Sequence, residues 1–198
     1  MFEILCVTNR RLCGEDFLSR IEKVAELRPN AIILREKDLP ESEYRSLAIS
    51  VMEICKRNNV RCILHTYAQV ARELGVPVHL PMPLLRSADK SGLIYGASCH
   101  SVEEAVEAEN LGCSYITAGH IFDTDCKKDL PGRGIEFLRS VCSAVSIPVY
   151  AIGGINASTV RQVAKTQAAG ACVMSGAMVG DVSLFFNQLN NSLSGEVK

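Results

Sequence analysis

The chain has 198 residues, 47% of them hydrophobic, and a formal net charge of −1. These values suit one globular domain, residues 1–198, with a sizeable core. With no basic stripe and no apolar run long enough for a bilayer, they argue against a nucleic-acid partner and against a membrane span.

The N-terminus, Met1-Phe2-Glu3-Ile4-Leu5-Cys6-Val7, reads as a first strand and lacks the basic start of a signal peptide, so a cytoplasmic location is expected. Further short β-rich runs follow. With the first, they cover residues 3–8, 31–35, 61–65, 76–80, 93–98, 114–119, 148–153 and 170–175. Most are continuously apolar, as strands buried on both faces should be. Between them lie helical stripes: Phe17, Ile21, Val24 and Ala25; Leu47, Val51 and Ile54; Leu138, Val141, Cys142 and Val145. Ser101 and Glu104 have the spacing of a capping box. The last helix carries Phe185, Phe186, Leu189 and Leu193, whereas the segment after the fourth run, with Pro81 and Pro83, is weakly helical. Eight strands, each followed by a helix or its remnant, predict a parallel (β/α)8 TIM barrel in a single compact domain. A doubly wound open sheet is the alternative and needs fewer strands.

Nine cysteines are scattered along the chain without a Cys-x-x-Cys pair. They read as small buried hydrophobes in a reducing compartment, with Cys99 and Cys126 nearer the expected barrel mouth.

Ligands of parallel barrels bind at the carboxyl ends of the strands. His120 stands there, after the apolar run Tyr115-Ile116-Thr117-Ala118-Gly119. Its side chain is the one suited to proton transfer near neutral pH. Gly153-Gly154 ends the seventh run, and Ser175-Gly176 ends the eighth. Glycines there let backbone N–H groups approach an anion, and many such barrels hold phosphate after strands seven and eight. A plain tight turn is the other reading of Gly153-Gly154.

Leu34-Arg35-Glu36-Lys37, Gly96-Ala97-Ser98-Cys99-His100-Ser101, the 119–127 segment, Ala151-Ile152-Gly153-Gly154-Ile155 and the 173–177 segment together resemble the thiamine phosphate synthase superfamily, over nearly the whole chain. The synthases of that superfamily join an aminopyrimidine diphosphate to a thiazole phosphate, with Mg2+ on the diphosphate. Their pattern has a glutamine, an Asn-Asp pair and a Gly-Gln-acidic run where this chain has Ile33, His65-Thr66 and Pro81-Met82-Pro83. Proline and methionine offer a hard cation no side-chain oxygen. The second group, the TenI-type thiazole tautomerases, is similar in its Gly119-His120-Ile121-Phe122-Asp123-Thr124-Asp125-Cys126-Lys127-Lys128 stretch and in Gly132-Arg133-Gly134. That resemblance implies an isomerase that converts a carboxythiazole phosphate tautomer to its aromatic form, with His120 moving the proton. Thiamine phosphate synthase and a non-catalytic protein that binds thiazole or thiamine phosphate are the alternatives.

The expected site is His120 as catalytic residue, with Arg35, Lys37, Ser98, Lys127, Gly153, Gly154, Ser175 and Gly176 on substrate or phosphate. Ion pairs with Glu36 or Asp38 are the plainer reading of Arg35 and Lys37. His65 reads as a polar wall or a second acid–base group, and His79 and His100 as supports. Asp123, Asp125 and Asp129 fit no metal spacing, and neither metal nor cofactor is expected. The partner is a small thiazole phosphate, with self-association left open. The 122–134 stretch has the length of a lid.

Overall fold

The computed structural model describes residues 2–124 and 130–195. Its strands are β1 (Glu3–Val7), β2 (Ala31–Leu34), β3 (Arg61–His65), β4 (Val78–Pro81), β5 (Tyr95–Cys99), β6 (Tyr115–Gly119), β7 (Val149–Ile152) and β8 (Gly170–Val173). Every neighbouring pair is parallel, and β8 pairs with β1, so the sheet closes in the order β1 to β8. This is the (β/α)8 barrel expected from the alternating runs. Closure leaves no open edge.

The helices are α1 (Phe17–Glu26), α2 (Glu41–Arg57), α3 (Ala68–Leu74), α4 (Met82–Ser87), α5 (Val102–Asn110), α6 (Gly134–Ala144), α7 (Val160–Ala164), α8 (Ser175–Met178) and α9 (Val182–Ser194). The weakly helical segment after β4 forms α4 because Pro83 sits at its second position, where no backbone N–H is needed. At α5 the Ser101 hydroxyl accepts from Glu104 N–H at 3.1 Å. The Glu104 carboxylate accepts from His100 N–H at 2.6 Å, one residue before the expected capping-box partner.

Strand alternation sorts the core into two layers. Ile4, Cys6, Ile32, Leu34, Cys62, Leu64, Ile116 and Ala118 belong to the cluster that takes in the helices. Leu5, Val7, Ala31, Ile33, Ile63, Tyr115, Tyr150 and Cys172 form a second cluster that fills the barrel. Gly96 lies opposite Tyr115 in the β5–β6 register, and a Cβ on Gly96 would fall 2.4 Å from the Tyr115 ring. A missing side chain on one strand thus makes room for a large one on the next. All eight cysteines among the described residues are free, and six are buried. Burial raises the thiol pKa of Cys99, Cys113, Cys142 and Cys172 to about 11 or 12, as inert core thiols require.

Candidate active site

The carboxyl ends of the strands open into a cavity of about 1100 Å3, to which all eight strands or their following loops contribute. Arg35, Lys37, Ser98, His120, Gly153, Gly154, Ser175 and Gly176 all line it. So do His65, His79 and His100, and Phe185 reaches in from the last helix, a contribution that no local sequence signal announced. Lys127, Cys126, Asp125, Asp129 and the middle of the lid stretch lie outside the described residues.

Arg35 and Lys37 follow β2 on either side of Glu36. The expected alternative, an ion pair with Glu36 or Asp38, is not what forms. Glu36 is 2% exposed and turned back toward β1. One of its oxygens accepts from the Thr8 hydroxyl at 2.6 Å, and both accept from Arg10 N–H at 3.1 Å. The Arg10 guanidinium bonds both Glu36 and Asp38, and Arg11 adds a second contact to Asp38. Thr8 Oγ1 in turn accepts from Arg35 N–H at 2.9 Å. The acids are therefore consumed by Arg10 and Arg11, and among the described residues Arg35 and Lys37 have no acidic partner. Lys37 has its pKa lowered, first by lost hydration and then by the charge of Arg35.

Because Glu36 anchors the turn that presents both cations, replacing it should be felt twice. Glu36→Gln is expected to cost about 1.5–3 kcal/mol in urea unfolding, through buried hydrogen bonds that lose a charged acceptor. It should also weaken anion binding at Arg35 and Lys37. Unchanged unfolding would show that the network is dispensable.

His65 and His79 are stacked with ring centroids 5.6 Å apart, and both are buried. Desolvation depresses both imidazole pKa values first. For His65 the value falls to about 2, with further pressure from His79, Lys37 and Arg35. For His79 it falls to about 3, with a lesser push from Lys37. Both rings are neutral at pH 7. His65 Nδ1 meets the Thr66 hydroxyl at 2.7 Å. His79 meets the Tyr115 hydroxyl through Nδ1 at 3.0 Å and Ser98 Oγ through Nε2 at 2.8 Å. His100 Nδ1 is 2.9 Å from the Gly119 carbonyl and donates to it.

His120 follows β6 through a cis peptide with Gly119. It is 8% exposed, and its Nε2 lies 3.1 Å from the Leu130 carbonyl, to which it donates. In the tautomer that carries its proton on Nε2, Nδ1 is an acceptor. Gly153 has φ +102°, and a Cβ there would fall 2.4 Å from His120 Cβ. Gly154, at φ +66°, would meet the Asp123 carbonyl at 2.5 Å. A Cβ on Gly176 would meet the Phe185 ring at 2.2 Å. These glycines thus serve close packing between loops and against α9, which the anion-cradle argument alone did not foresee.

Among the described residues, the divalent cation implied by the synthase pattern finds no suitable donors. At the ends of β3 and β4 stand His65, Thr66, Pro81, Met82 and Pro83. Among the described lining residues the one carboxylate, Asp123, accepts from Gly132 N–H at 2.7 Å. No group of three or more His, Cys, Asp or Glu side chains among the described residues is arranged to hold a metal ion. Magnesium wants an octahedron of hard oxygens, and these residues do not fit it.

A closed parallel barrel with its cavity at the carboxyl ends of the strands defines a (β/α)8-barrel enzyme. The model of the family described as thiamine monophosphate synthase matches residues 4–177, and the chain belongs to that family. It is 33% identical over 181 residues to a protein named thiamine-phosphate synthase from Fusobacterium nucleatum, covering 88% of each chain. It is 34% identical over 182 residues to one of the same name from Pyrococcus horikoshii, covering 89% of this chain and 86% of that one. A solved structure titled thiamine phosphate pyrophosphorylase, from Pyrococcus furiosus, superposes with a TM-score of 0.85 at 30% identity, covering 100% and 98% of the two chains. A 3-hexulose-6-phosphate synthase, at TM-score 0.70 and 18% identity, shares the fold alone.

These relatives overturn the isomerase expectation. The tautomerase reading rested on the stretch around His120, whereas the similarity to proteins named as synthases runs through nearly the whole chain. The proton-moving role drawn for His120 falls with it. No helix among the described residues is long and apolar enough to cross a membrane.

Proposed function

We propose that the chain is a thiamine-phosphate synthase, which joins an aminopyrimidine carried as its diphosphate to a thiazole phosphate. The observation that carries this reading is the identity to named synthases across 88–89% of the chain. In the coupling, the thiazole nitrogen lone pair forms a C–N bond to the exocyclic carbon of the pyrimidine. The C–O bond to diphosphate breaks, and its electron pair leaves with that group. No proton changes place, so the reaction demands charge neutralisation and orientation more than a base.

Arg35 and Lys37 suit the departing diphosphate, as two cations on the cavity wall without acidic partners among the described residues. Gly153, Gly154, Ser175 and Gly176 suit the thiazole phosphate. His120, which packs beside Gly153 and lines the cavity, acts as a contact group. With Nε2–H given to Leu130, its Nδ1 can accept from the amino group of the pyrimidine.

The test mixes both substrates with the protein and reads thiamine phosphate by its fluorescence after oxidation to thiochrome. Product formation is expected. His120→Asn is expected to stay within about tenfold of wild type, the scale of one lost contact of about 1.4 kcal/mol. A thousandfold loss would contradict a contact role. Binding of both substrates without product would favour the non-catalytic reading. The lack of a metal-holding carboxylate group among the described residues is the specific observation behind that second reading.

A further inference from the structure

The turn after β7 can be followed one peptide plane at a time. Ile152, Gly153, Gly154 and Ile155 all line the cavity. The peptide bonds between them are trans, so each carbonyl and the next residue's N–H point to opposite sides of one plane. Where a carbonyl is tied, the N–H that follows it is aimed. The Ile152 carbonyl accepts from Ile121 N–H at 2.9 Å, and the Gly153 carbonyl accepts from Phe122 N–H at 3.1 Å. The Gly154 carbonyl accepts from the Thr159 hydroxyl at 2.9 Å and from the Asn156 side-chain amide at 3.3 Å. All three carbonyls are thus engaged by the protein. The N–H groups across the same planes, those of Gly153, Gly154 and Ile155, have no acceptor among the described residues. Unpaired amides at a turn call for an acceptor, and successive ones suit the oxygens of an anion.

Two of these carbonyls are held by backbone N–H groups of the chain after β6, which no side-chain change removes. The third hangs on a side chain. Thr159 is the N-cap residue of α7, where a threonine hydroxyl ordinarily accepts from a backbone N–H of the first turn. It makes no such bond. Its oxygen accepts instead from Asn156 N–H at 2.9 Å. Its hydrogen goes to Gly154, because the Asn156 carbonyl is farther, at 3.3 Å, and already accepts from the N–H groups of Thr159 and Val160. The hydroxyl therefore serves the turn and not the helix. Without it, the freedom of a glycine at 154 lets the Gly154–Ile155 plane rotate. A rotated plane would offer the cavity a carbonyl oxygen, which repels an anion, in place of an N–H.

We propose that Thr159 is a positioning residue for the coupling reaction. Its hydroxyl holds the Gly154 carbonyl back and so keeps the Gly153, Gly154 and Ile155 amides aimed at the phosphate of the thiazole substrate. The identity of that phosphate ester rests on the synthase reading.

The experiment pairs a binding measurement with a rate measurement on the full chain. Inorganic phosphate is titrated into nitrogen-15-labelled protein, and the amide protons of Gly153, Gly154 and Ile155 are expected to move downfield together. Thr159→Val keeps the side-chain shape without the hydroxyl and should weaken phosphate binding about tenfold, whereas Thr159→Ser should restore it. Thermal unfolding verifies that the variants are folded, and Thr159→Ala repeats the test should the valine not be tolerated. In the coupling assay, Thr159→Val should raise KM for the thiazole phosphate about tenfold and leave KM for the pyrimidine diphosphate within about twofold. General loosening of the barrel would not separate the two. Absence of the three amide shifts at saturating phosphate, wild-type phosphate binding by Thr159→Val, no rescue by serine, or an equal rise in both KM values would overturn the proposal. Failure of the wild-type coupling assay with phosphate still held by these amides would sink the synthase reading and leave the role of Thr159 standing.

Discussion

Gly153→Ala is expected to destabilise the protein by about 3 kcal/mol or more and to abolish binding of a phosphate ester in the cavity. Two separate costs combine. At φ +102° an L side chain is strained whatever the space around it, and such strain is worth about 1–3 kcal/mol. The added methyl would also lie 2.4 Å from His120 Cβ and 2.9 Å from His120 Cα. Neither atom is the free end of a flexible side chain. The segment that would have to yield is tied to β7, since Ile121 N–H donates to the Ile152 carbonyl at 2.9 Å and Phe122 N–H to the Gly153 carbonyl at 3.1 Å. Relief therefore means breaking ladder bonds at the cavity mouth, and overpacking of this kind typically costs a further 1–3 kcal/mol or so.

A comparison variant separates the two costs. Gly92 also has positive φ, +73°, but a Cβ there meets nothing within 4 Å. Gly92→Ala should cost only the left-handed penalty, about 1–2 kcal/mol, and leave ligand binding untouched. Urea unfolding with fluorescence or circular dichroism gives both numbers. Equal losses in the two variants would mean that contact with His120 plays no part. Retained phosphate-ester binding by Gly153→Ala would mean that the turn is not part of the cradle.

The barrel was legible because its strands announce themselves in two ways at once. Residues such as Ile32, Leu64 and Ile116 pack outward under the helices while Ile33, Ile63 and Tyr115 fill the interior. Both faces are apolar, so the runs are unbroken and easily counted. Their ends were less legible. Arg35 continues the apolar β2 run in sequence but lies beyond the ladder, and Val76 and Pro77 precede the paired part of β4. Hydrophobicity marks burial, and pairing stops where the chain turns toward the cavity. The individual site residues were named from strand-end logic, and the structure brings every described one to a single cavity.

What could not be read was which of them belong together. Ser98, His79 and Tyr115 come from three strands, and nothing local ties a tyrosine to a histidine 36 residues before it. Likewise Arg10 and Arg11 take the acids that a linear reading offered to Arg35 and Lys37, because a loop after β1 folds over the end of β2. The reaction was the least legible of all. One ionisable residue at a strand end marks where chemistry happens and leaves its kind open. The weight given to His120 in the sequence had to yield to similarity spread over the whole chain.

Acid should unfold this protein unusually early, and the stacked histidines are the reason. In the unfolded chain each histidine binds a proton near its ordinary value of about 6.5. In the folded chain His65 resists protonation down to about 2 and His79 down to about 3, chiefly because burial disfavours the charged ring. Below pH 6.5 the unfolded state therefore holds more protons than the folded state, and stability falls as pH falls. Each ring contributes a slope of about 1.4 kcal/mol per pH unit through the window from about 6 to about 3. Together they remove on the order of 4 kcal/mol by pH 5, against a total of about 5–15 kcal/mol for a typical domain. The urea midpoint is expected to be flat from pH 8 to 7 and to drop steeply from pH 6.5 to 5. Replacing both with glutamine should lower stability at pH 7 and flatten the acid limb, because the uncharged amide has no proton to take up. A midpoint constant between pH 7 and 5 would show that water or movement of the rings relieves their burial. The His79 ring then could not serve as a fixed, neutral partner of Ser98 Oγ, which it meets at 2.8 Å.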